Sequence, residues 1–204
     1  MPLDRIEATA DAKPSRSQNP VWLFFKRWLA NPLSMASITP SAPALARLIA
    51  RNIRRDPDEI VVEYGGGTGP ITRALLEAGV PPSRLYVFEI DPELHGYLSA
   101  QFPDVNVILG DVTRVRDYLP EQFHGKVGTV VCGIPMILIP VDAQRKIVDE
   151  IFKIMPAGRR FLAYTYSLAS PMKKEPLGIE GGRVGFTFAN VPPASVWAYT
   201  KKPD

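Results

Sequence analysis

The stretch VVEYGGGTG, residues 61–69, decides the fold prediction for this chain. Its first four residues are mostly apolar, as in a buried strand, and four of its last five are glycines. The residues ITRALLEAG at 71–79 then show the apolar spacing of a helix. A strand, a glycine turn and a helix in this order let the backbone approach a ligand closely. The spacing is G-x-G-x-G, not the G-x-G-x-x-G of dinucleotide sites, and a glycine turn without a ligand is the alternative.

Strand-like and helix-like segments alternate along the rest of the chain. The strand-like segments are 59–64, 84–91, 105–111, 128–135, 159–167, 184–191 and 195–202. The helical patterns occupy 45–53, 71–79, 92–102 and 141–155. This alternation predicts a Rossmann-like α/β fold with a seven-stranded, mostly parallel, doubly wound sheet. The last two strand-like segments are expected to close the sheet as an antiparallel pair.

Length and composition indicate one domain with an N-terminal extension. Of 204 residues, 46% are apolar, which is enough for a substantial core. We divide the chain into a disordered start (1–18), an amphipathic helical segment (19–37) and the sheet domain (38–204). No apolar run nears the roughly 20 residues that span a bilayer, and the polar start lacks the apolar core of an export signal. A cytoplasmic monomer is expected.

Cysteine and histidine are both scarce. The chain has one cysteine, Cys132, and two histidines, His95 and His124. A single cysteine excludes an internal disulfide and fits a reducing compartment. With so few thiolate and imidazole ligands, no metal site is predicted.

Residues 19–32, NPVWLFFKRWLANP, form an aromatic and basic segment ahead of the sheet domain. On a helical wheel one face is aromatic and the other cationic, with Trp22, Phe25 and Trp28 opposite Lys26 and Arg27. Residues 1–55 carry nine lysines and arginines against three acidic residues, and residues 56–204 carry fifteen against eighteen. Such a helix suits the headgroup layer of an anionic membrane, so we expect a peripheral protein on the inner face of the cytoplasmic membrane. A lid over the sheet domain is the alternative.

Carboxylates follow the second and third predicted strands, at the edge that also carries the glycine turn. Glu89 ends the second strand, where a carboxylate is placed to accept hydrogen bonds from ribose hydroxyls. The third strand ends in Gly110-Asp111, where a carboxylate can accept from an adenine amino group. Three consecutive strand ends with matching groups are more specific than one glycine loop, and they favour a bound ligand.

With these residues, the chain resembles the class I S-adenosylmethionine-dependent methyltransferases over roughly residues 38–200. The resemblance implies S-adenosylmethionine as cofactor and S-adenosylhomocysteine as product. It implies that Glu63 organises the glycine turn and the methionine end of the cofactor, that Glu89 holds the ribose and that Asp111 meets the adenine. Further cofactor contacts are implied at Thr39, Ser41, Tyr64, Gly65, Gly66, Gly67, Gly69, Ile90, Gly110, Val112 and Cys132. Gly66 stands where Pro or Cys is usual, and a plain helix N-cap explains Ser41 equally well.

The fourth strand ends in Cys132-Gly133-Ile134-Pro135-Met136 and decides the subtype. Adenine and amide methylases of this superfamily commonly carry Asn or Asp followed by Pro-Pro-aromatic there, and this segment does not. It instead resembles the Ser-Gly-Leu-Pro-leucine segment of small bacterial phospholipid N-methyltransferases, with Cys132 where serine is commoner. Residues 24–47, 165–171 and 189–197 resemble the same family.

This second resemblance implies N-methylation of phosphatidylethanolamine, through mono- and dimethyl intermediates, to phosphatidylcholine. Methyl transfer is an in-line displacement on a sulfonium, so it mainly requires a positioned neutral amine. The catalytic candidates are Gly133, Ile134 and Pro135, where backbone carbonyls can orient the nitrogen. Tyr164 and Tyr166, at the end of the fifth strand, offer aromatic faces to the cationic product, although core packing explains them equally well.

Three other functions remain open from the sequence. One is a nucleic-acid methylase similar to the ribosomal RNA adenine N6-dimethyltransferases, with the basic front gripping phosphate. The fourth-strand segment argues against it, so no nucleic-acid partner is expected. The second is methylation of an ornithine lipid, which these residues do not separate from the first reading. The third is a membrane-binding protein with a vestigial cofactor fold, which the intact acids at Glu63, Glu89 and Asp111 disfavour.

Overall fold

The structure is a computed structural model that describes residues 42–190 and 192–203. The segments 1–18 and 19–37 lie outside these residues. So do seven residues with expected contacts to membrane or cofactor, namely Trp22, Phe25, Lys26, Arg27, Trp28, Thr39 and Ser41.

Strands and helices alternate through the described residues. The strands are β1 (Ile60–Tyr64), β2 (Leu85–Glu89), β3 (Asn106–Leu109), β4 (Val127–Cys132), β5 (Phe161–Thr165), β6 (Ile179–Thr187) and β7 (Ala194–Lys201). The helices are α1 (Ala42–Ala50), α2 (Pro70–Glu77), α3 (Pro92–Gln101), α4 (Val115–Tyr118) and α5 (Val141–Ile154). None of these helices is both long enough and apolar enough to cross a membrane.

The strands form one seven-stranded sheet with the order β3-β2-β1-β4-β5-β7-β6. The first five strands pair in parallel, and β7 pairs antiparallel with both β5 and β6. The Rossmann-like, mostly parallel sheet predicted from the sequence is therefore confirmed, and so is its closing antiparallel pair.

The sheet separates two apolar cores, because successive residues of a strand face opposite sides. Val62 and Tyr64 of β1 pack on the side covered by α5, together with Ile151. Val61 packs on the other side with α1 and α2, together with Leu75. Helices on both faces hold the carboxyl ends of the parallel strands at one exposed edge.

Strand β6 begins earlier than the sequence pattern predicted. The apolar residues placed it at 184–191, whereas it extends from Ile179 to Thr187. Its first half is largely exposed and contains two adjacent glycines, so no alternation of apolar residues marks it. Backbone pairing with β7, from Ile179 opposite Lys201 to Thr187 opposite Ala194, sets its length instead.

Gly66 has no room for a side chain. A Cβ atom at this position would lie 2.5 Å from Cγ1 of Val87 and 2.8 Å from Cδ1 of Leu98. The departure from Pro or Cys at this position thus has a packing reason, because β2 and α3 already fill the space.

We expect Gly66→Ala to destabilise the fold by about 1–3 kcal/mol, the usual cost of overpacking a core. Gly96→Ala is the matched control, since Gly96 lies inside α3 and its Cβ would meet nothing within 4 Å. There alanine should stabilise the fold by about 0.5–1 kcal/mol through helix propensity. Urea unfolding of both variants measures the difference, and equal midpoints would contradict the packing argument.

Candidate active site

The carboxyl ends of the first four strands meet at one edge because the strands are parallel and aligned. Tyr64, the last residue of β1, pairs with Phe88 of β2 and Cys132 of β4. Hydrogen bonds extend the alignment into the turns: Gly65 N donates to Phe88 O (2.8 Å), Gly133 N to Tyr64 O (2.8 Å) and Gly110 N to Glu89 O (3.0 Å). The three turns singled out in the sequence therefore lie side by side.

The glycine turn after β1 has the backbone that its composition predicted. Gly65, Gly67 and Gly69 have φ angles of 76°, 57° and 82°, in the left-handed region that favours glycine. A Cβ at Gly67 would meet nothing within 4 Å in the described part of the chain, so these residues leave open space beside the turn. At Gly69 a Cβ would collide with the ring of Phe102, so the start of α2 lies in close contact with the residue that follows α3.

Glu89 does more than the sequence indicated, because its buried carboxylate fixes the glycine turn. Oε2 accepts a hydrogen bond from Gly67 N at 2.9 Å. Oε1 accepts from Ile90 N at 2.8 Å and from Asp91 N at 3.0 Å. One side chain thus joins the turn after β1 to the turn after β2. Hydrogen bonds from backbone N–H groups to an ionised acceptor are among the stronger ones in proteins.

Glu63 is fully buried and only partly satisfied. Thr72 Oγ1 donates to its Oε2 at 2.7 Å, whereas Oε1 has no hydrogen-bond partner within the described chain. Burial, helped by the nearby charge of Glu89, raises the pKa of this carboxyl from 4.5 to about 8, against the hydrogen bond from Thr72. Glu63 therefore keeps its proton at neutral pH in the absence of a cationic partner.

The turn after β3 is closely packed. A Cβ at Gly110 would lie 3.2 Å from the ring of Tyr118, so any larger residue would have to displace that ring by a few tenths of an ångström. Asp111 caps the short turn that follows, and its Oδ1 accepts from Thr113 N at 2.9 Å and from Thr113 Oγ1 at 2.8 Å. Val112 is buried beneath the turn. The predicted Gly-Asp pair thus stands at the edge beside Glu89.

The turn after β4 touches the glycine turn directly. A Cβ at Gly133 would lie 2.8 Å from Gly65 O and 2.9 Å from Tyr64 O, so the two backbones approach more closely than any side chain allows. Cys132 is buried, its thiol donates to Ile134 O at 3.9 Å, and burial raises its pKa to about 12. The turn therefore presents backbone groups, and the thiol stays protonated.

Two of the predicted site residues, Tyr64 and Cys132, have buried side chains, so only their backbone groups are available at the carboxyl ends of the strands. The ring of Tyr64 is fully buried and packs edge-on against Phe88, with 5.9 Å between the ring centroids. Cys132 is likewise buried. Ile90, half-buried, contributes its N–H to Glu89.

The tyrosines expected to face a cationic product lie at the end of β5, next to the β4 turn. Tyr164 and Tyr166 contact each other edge-on, with ring centroids 6.2 Å apart. Tyr164 is half-buried, and burial raises its pKa well above the ordinary value. Both phenols are therefore neutral at physiological pH.

Gln144 is a positioning residue that the sequence analysis missed. It is buried in the first turn of α5, and its Nε2 donates to Met136 O at 2.9 Å and to Ile139 O at 2.8 Å. These two bonds hold the short helical turn that follows Pro135. A signal was present, since Gln144 is a polar residue on the apolar face that Ile147 and Ile151 define.

Nothing in 42–190 or 192–203 groups three or more His, Cys, Asp or Glu side chains in a way that suits a metal ion.

Comparison with known proteins identifies the fold. The chain is similar to a TehB-like S-adenosylmethionine-dependent methyltransferase from Corynebacterium glutamicum, with 19% identity, a TM-score of 0.55 and coverage of 89% of this chain and 98% of that one. It is also similar to magnesium protoporphyrin IX methyltransferase from Synechocystis with bound S-adenosylmethionine, at 15% identity, a TM-score of 0.55 and 95% and 87% coverage.

No family model matches the chain. Individual proteins with similar sequences do, and they indicate the family within this fold. An ornithine lipid N-methyltransferase from Singulisphaera acidiphila is 31% identical over 141 residues, which cover 67% of this chain and 73% of that enzyme. The small-subunit ribosomal RNA methyltransferase A of Thermotoga neapolitana is 32% identical, but the match covers 38% of this chain and only 30% of that protein.

Fold and strand-edge turns together define a class I S-adenosylmethionine-dependent methyltransferase. By identity and coverage, the chain belongs to the same methyltransferase family as the Singulisphaera enzyme. S-adenosylmethionine is accordingly the cofactor and S-adenosylhomocysteine the product, as the sequence predicted.

The residues at the edge fit this cofactor. Oε1 of Glu63 is buried without a partner in the described structure, as expected where a ligand supplies the missing donor or positive charge. The open space beside Gly67 leaves room for a ligand against the turn. When bound, the cofactor supplies a methyl group on a positively charged sulfur.

Glu63→Gln tests the proton on the buried carboxyl. The folded protein, with a Glu63 pKa of about 8, binds more protons than the unfolded chain between that value and 4.5. Wild-type stability should therefore fall as the pH rises through this window, whereas glutamine cannot ionise. Urea unfolding at about pH 5.5 and 8.5 should show a loss of a few kcal/mol in wild type relative to the variant. Parallel pH profiles would contradict the raised pKa.

Gln144→Met tests the positioning of the β4 turn. Methionine keeps the volume but removes both donated hydrogens. Ile139 O then loses its side-chain donor at about 1–3 kcal/mol, whereas Met136 O keeps its bond from Ile139 N. We expect kcat for methyl transfer to fall at least tenfold while the cofactor Kd changes less than threefold. The turnover rate and calorimetric cofactor titration separate these effects. Equal losses in both would indicate that Gln144 only supports the fold.

Proposed function

We propose that this methyltransferase methylates the amino group of a membrane lipid, namely phosphatidylethanolamine through mono- and dimethyl intermediates to phosphatidylcholine. The observation that carries the lipid amine is the match with the Singulisphaera enzyme, whose name specifies N-methylation of a lipid and of which this chain covers 73%. The proposal adds the identity of the lipid and the number of methyl groups.

The chemistry of the β4 turn supports an amine as acceptor. The amine nitrogen forms a bond to the methyl carbon with its lone pair while the carbon–sulfur bond breaks, so the nitrogen must first lose its proton to solvent. Apolar surroundings lower an ammonium pKa and favour that loss. The Cys132 thiol, with a pKa of about 12, stays protonated and cannot act as the base. The backbone carbonyl of Gly133 is then suited to orient the neutral amine, whereas Ile134 O already accepts from Met136 N at 2.8 Å and from the Cys132 thiol.

We assign the cofactor contacts by the placement of the strand ends. Glu63 is proposed for the methionine end, Glu89 for the ribose and Asp111 for the adenine. Glu89 already accepts three backbone hydrogen bonds, so its ribose contact and its hold on the glycine turn are coupled. Tyr164 and Tyr166 are proposed to receive the methylated, cationic headgroup on their ring faces.

The ornithine lipid is the second candidate acceptor, because the Singulisphaera relative bears that name. Transfer to ribosomal RNA is less well supported. The Thermotoga match covers under a third of that protein, and the β4 turn lacks the Asn or Asp and the aromatic residue of adenine methylases.

The proposed location is the inner face of the cytoplasmic membrane. Residues 19–37 would hold the protein there, with Trp22, Phe25 and Trp28 in the headgroup layer and Lys26 and Arg27 against anionic lipid. The substrate stays in the bilayer, so the enzyme must come to it.

One acceptor assay tests these assignments. Purified protein receives methyl-labelled S-adenosylmethionine with phosphatidylethanolamine and phosphatidylglycerol vesicles, with ornithine-lipid vesicles, or with ribosomal RNA. We expect label in phosphatidylethanolamine, and chromatography of the extract counts the mono-, di- and trimethylated products. Label only in ornithine lipid would replace the first candidate by the second, and label only in RNA would refute the lipid proposal.

Glu89→Gln tests the proposed cofactor contact of Glu89, and Glu93→Gln is its matched control. Glu93 is exposed in the first turn of α3, four residues from Glu89, and should behave as wild type. Glu89→Gln removes the charge of the acceptor and should weaken cofactor binding about 10- to 100-fold, since hydrogen bonds to charged groups contribute about 1.5–3 kcal/mol.

A further inference from the structure

Four large apolar side chains are exposed at the carboxyl edge of the sheet, beyond the cofactor half of that edge. We call them the apolar rim: Ile137 is 58% exposed, Tyr166 38%, Leu168 69% and Phe188 81%. Ile137 follows β4, Tyr166 and Leu168 follow β5, and Phe188 follows β6. Exposed apolar residues are ordinary when scattered, but a group at one edge marks an interaction site.

Sheet topology brings the rim together. Thr165 at the end of β5 pairs with Ser195 at the start of β7, and Thr187 at the end of β6 pairs with Ala194. The ends of β4, β5 and β6 therefore follow one another along one half of the edge, in the order β4-β5-β7-β6. The turns after β1, β2 and β3 occupy the other half. The β4 turn, with Gly133, stands where the halves meet.

We propose that the apolar rim docks on the surface of a lipid bilayer, so that a lipid amine reaches the Gly133–Pro135 turn while its acyl chains remain in the membrane. This inference rests on the proposed function and adds the surface through which the acceptor arrives. Leu168 and Phe188 are the principal contacts, because they are the most exposed of the four.

The direction of α1 supports a bilayer at this edge. Leu48 lies against Gly185, in the half of β6 nearest the rim. After α1, Asn52 O accepts from Arg160 just before β5 begins, at the opposite edge. Helix α1 thus runs away from the rim, and the chain before Ala42 joins the described structure at the rim edge. The aromatic and basic residues 19–32 precede Ala42 in the sequence by fewer than a dozen residues, so they join the described structure from the rim edge.

Phe188→Ser and Leu168→Ser, alone and combined in the full chain, test the rim. Tyr97→Ser is the matched control, because Tyr97 is 50% exposed on α3 rather than at the edge. In co-sedimentation with vesicles of phosphatidylethanolamine and phosphatidylglycerol, we expect the double variant to bind with at least tenfold lower apparent affinity than wild type. Tyr97→Ser should bind with the affinity of wild type. Cofactor affinity and a thermal unfolding midpoint equal to those of wild type will show that a variant is folded. If the double variant does not fold, the two single variants provide the test.

A probe at position 188 identifies what covers the rim. Phe188→Cys accepts a polarity-sensitive thiol label, while the native Cys132 is buried. We expect brominated lipid to quench this label, and not a label on Tyr97→Cys. If the label already reports apolar surroundings before vesicles are added, and its signal does not change when they are added, the proposal is overturned. The chain's own N-terminal segment would then cover position 188. The proposal is also overturned if the label reports water both before and after vesicles are added and the serine variants sediment with vesicles as wild type does.

The same variants separate this inference from the proposed function. A short-chain phosphatidylethanolamine below its micelle concentration needs no docking, so rim variants should methylate it at the wild-type rate and lose only turnover on vesicles. If no lipid accepts a labelled methyl group while brominated lipid still quenches the thiol label at position 188, the proposed function fails and the docking proposal stands. If vesicle lipids are methylated equally by wild type and the double variant, the rim fails and the proposed function stands.

Discussion

The carboxylate of Glu89 is the constraint on which the cofactor edge depends. Three backbone N–H groups, from Gly67, Ile90 and Asp91, donate to its two oxygens. Because the first belongs to the turn after β1 and the others to the turn after β2, a single side chain sets the spacing of two turns. The left-handed glycines make that geometry accessible, and the carboxylate selects it from the conformations that glycine allows.

The second buried acid has a different physical character. Within the described residues Glu63 accepts from Thr72 alone, and its buried surroundings favour the neutral form. Glu89 is held by three donors, whereas one oxygen of Glu63 has no partner among the described residues. Two carboxyls at adjoining strand ends are thus specialised by their hydrogen bonds: one organises the backbone, and the other holds unsatisfied hydrogen-bonding capacity for a ligand.

The order of the strands divides the carboxyl edge by chemical character. Turns rich in glycine and carboxylate follow β1, β2 and β3, whereas aromatic and aliphatic side chains follow β5 and β6. The β4 turn lies between them, held to the glycine turn by Gly133 and to α5 by Gln144. A methyl group and its acceptor would therefore approach from opposite halves of one edge, which meet at the β4 turn.

The sequence by itself determined the α/β fold, the order of the seven strands and the positions of the turns that follow β1 to β4. Hydrophobic period, glycine spacing and carboxylates at strand ends are local signals, and residues such as Glu63, Gly67 and Glu89 stood where they predicted. The beginning of β6 was predicted too late, since backbone pairing and not side-chain pattern set it. Only the tertiary structure decided the second task of Glu89, the clamp by Gln144, the tight fit around Gly66 and the gathering of Ile137, Leu168 and Phe188. Each of these depends on atoms from segments far apart in the chain, and their distances exist only once the sheet has brought those segments together.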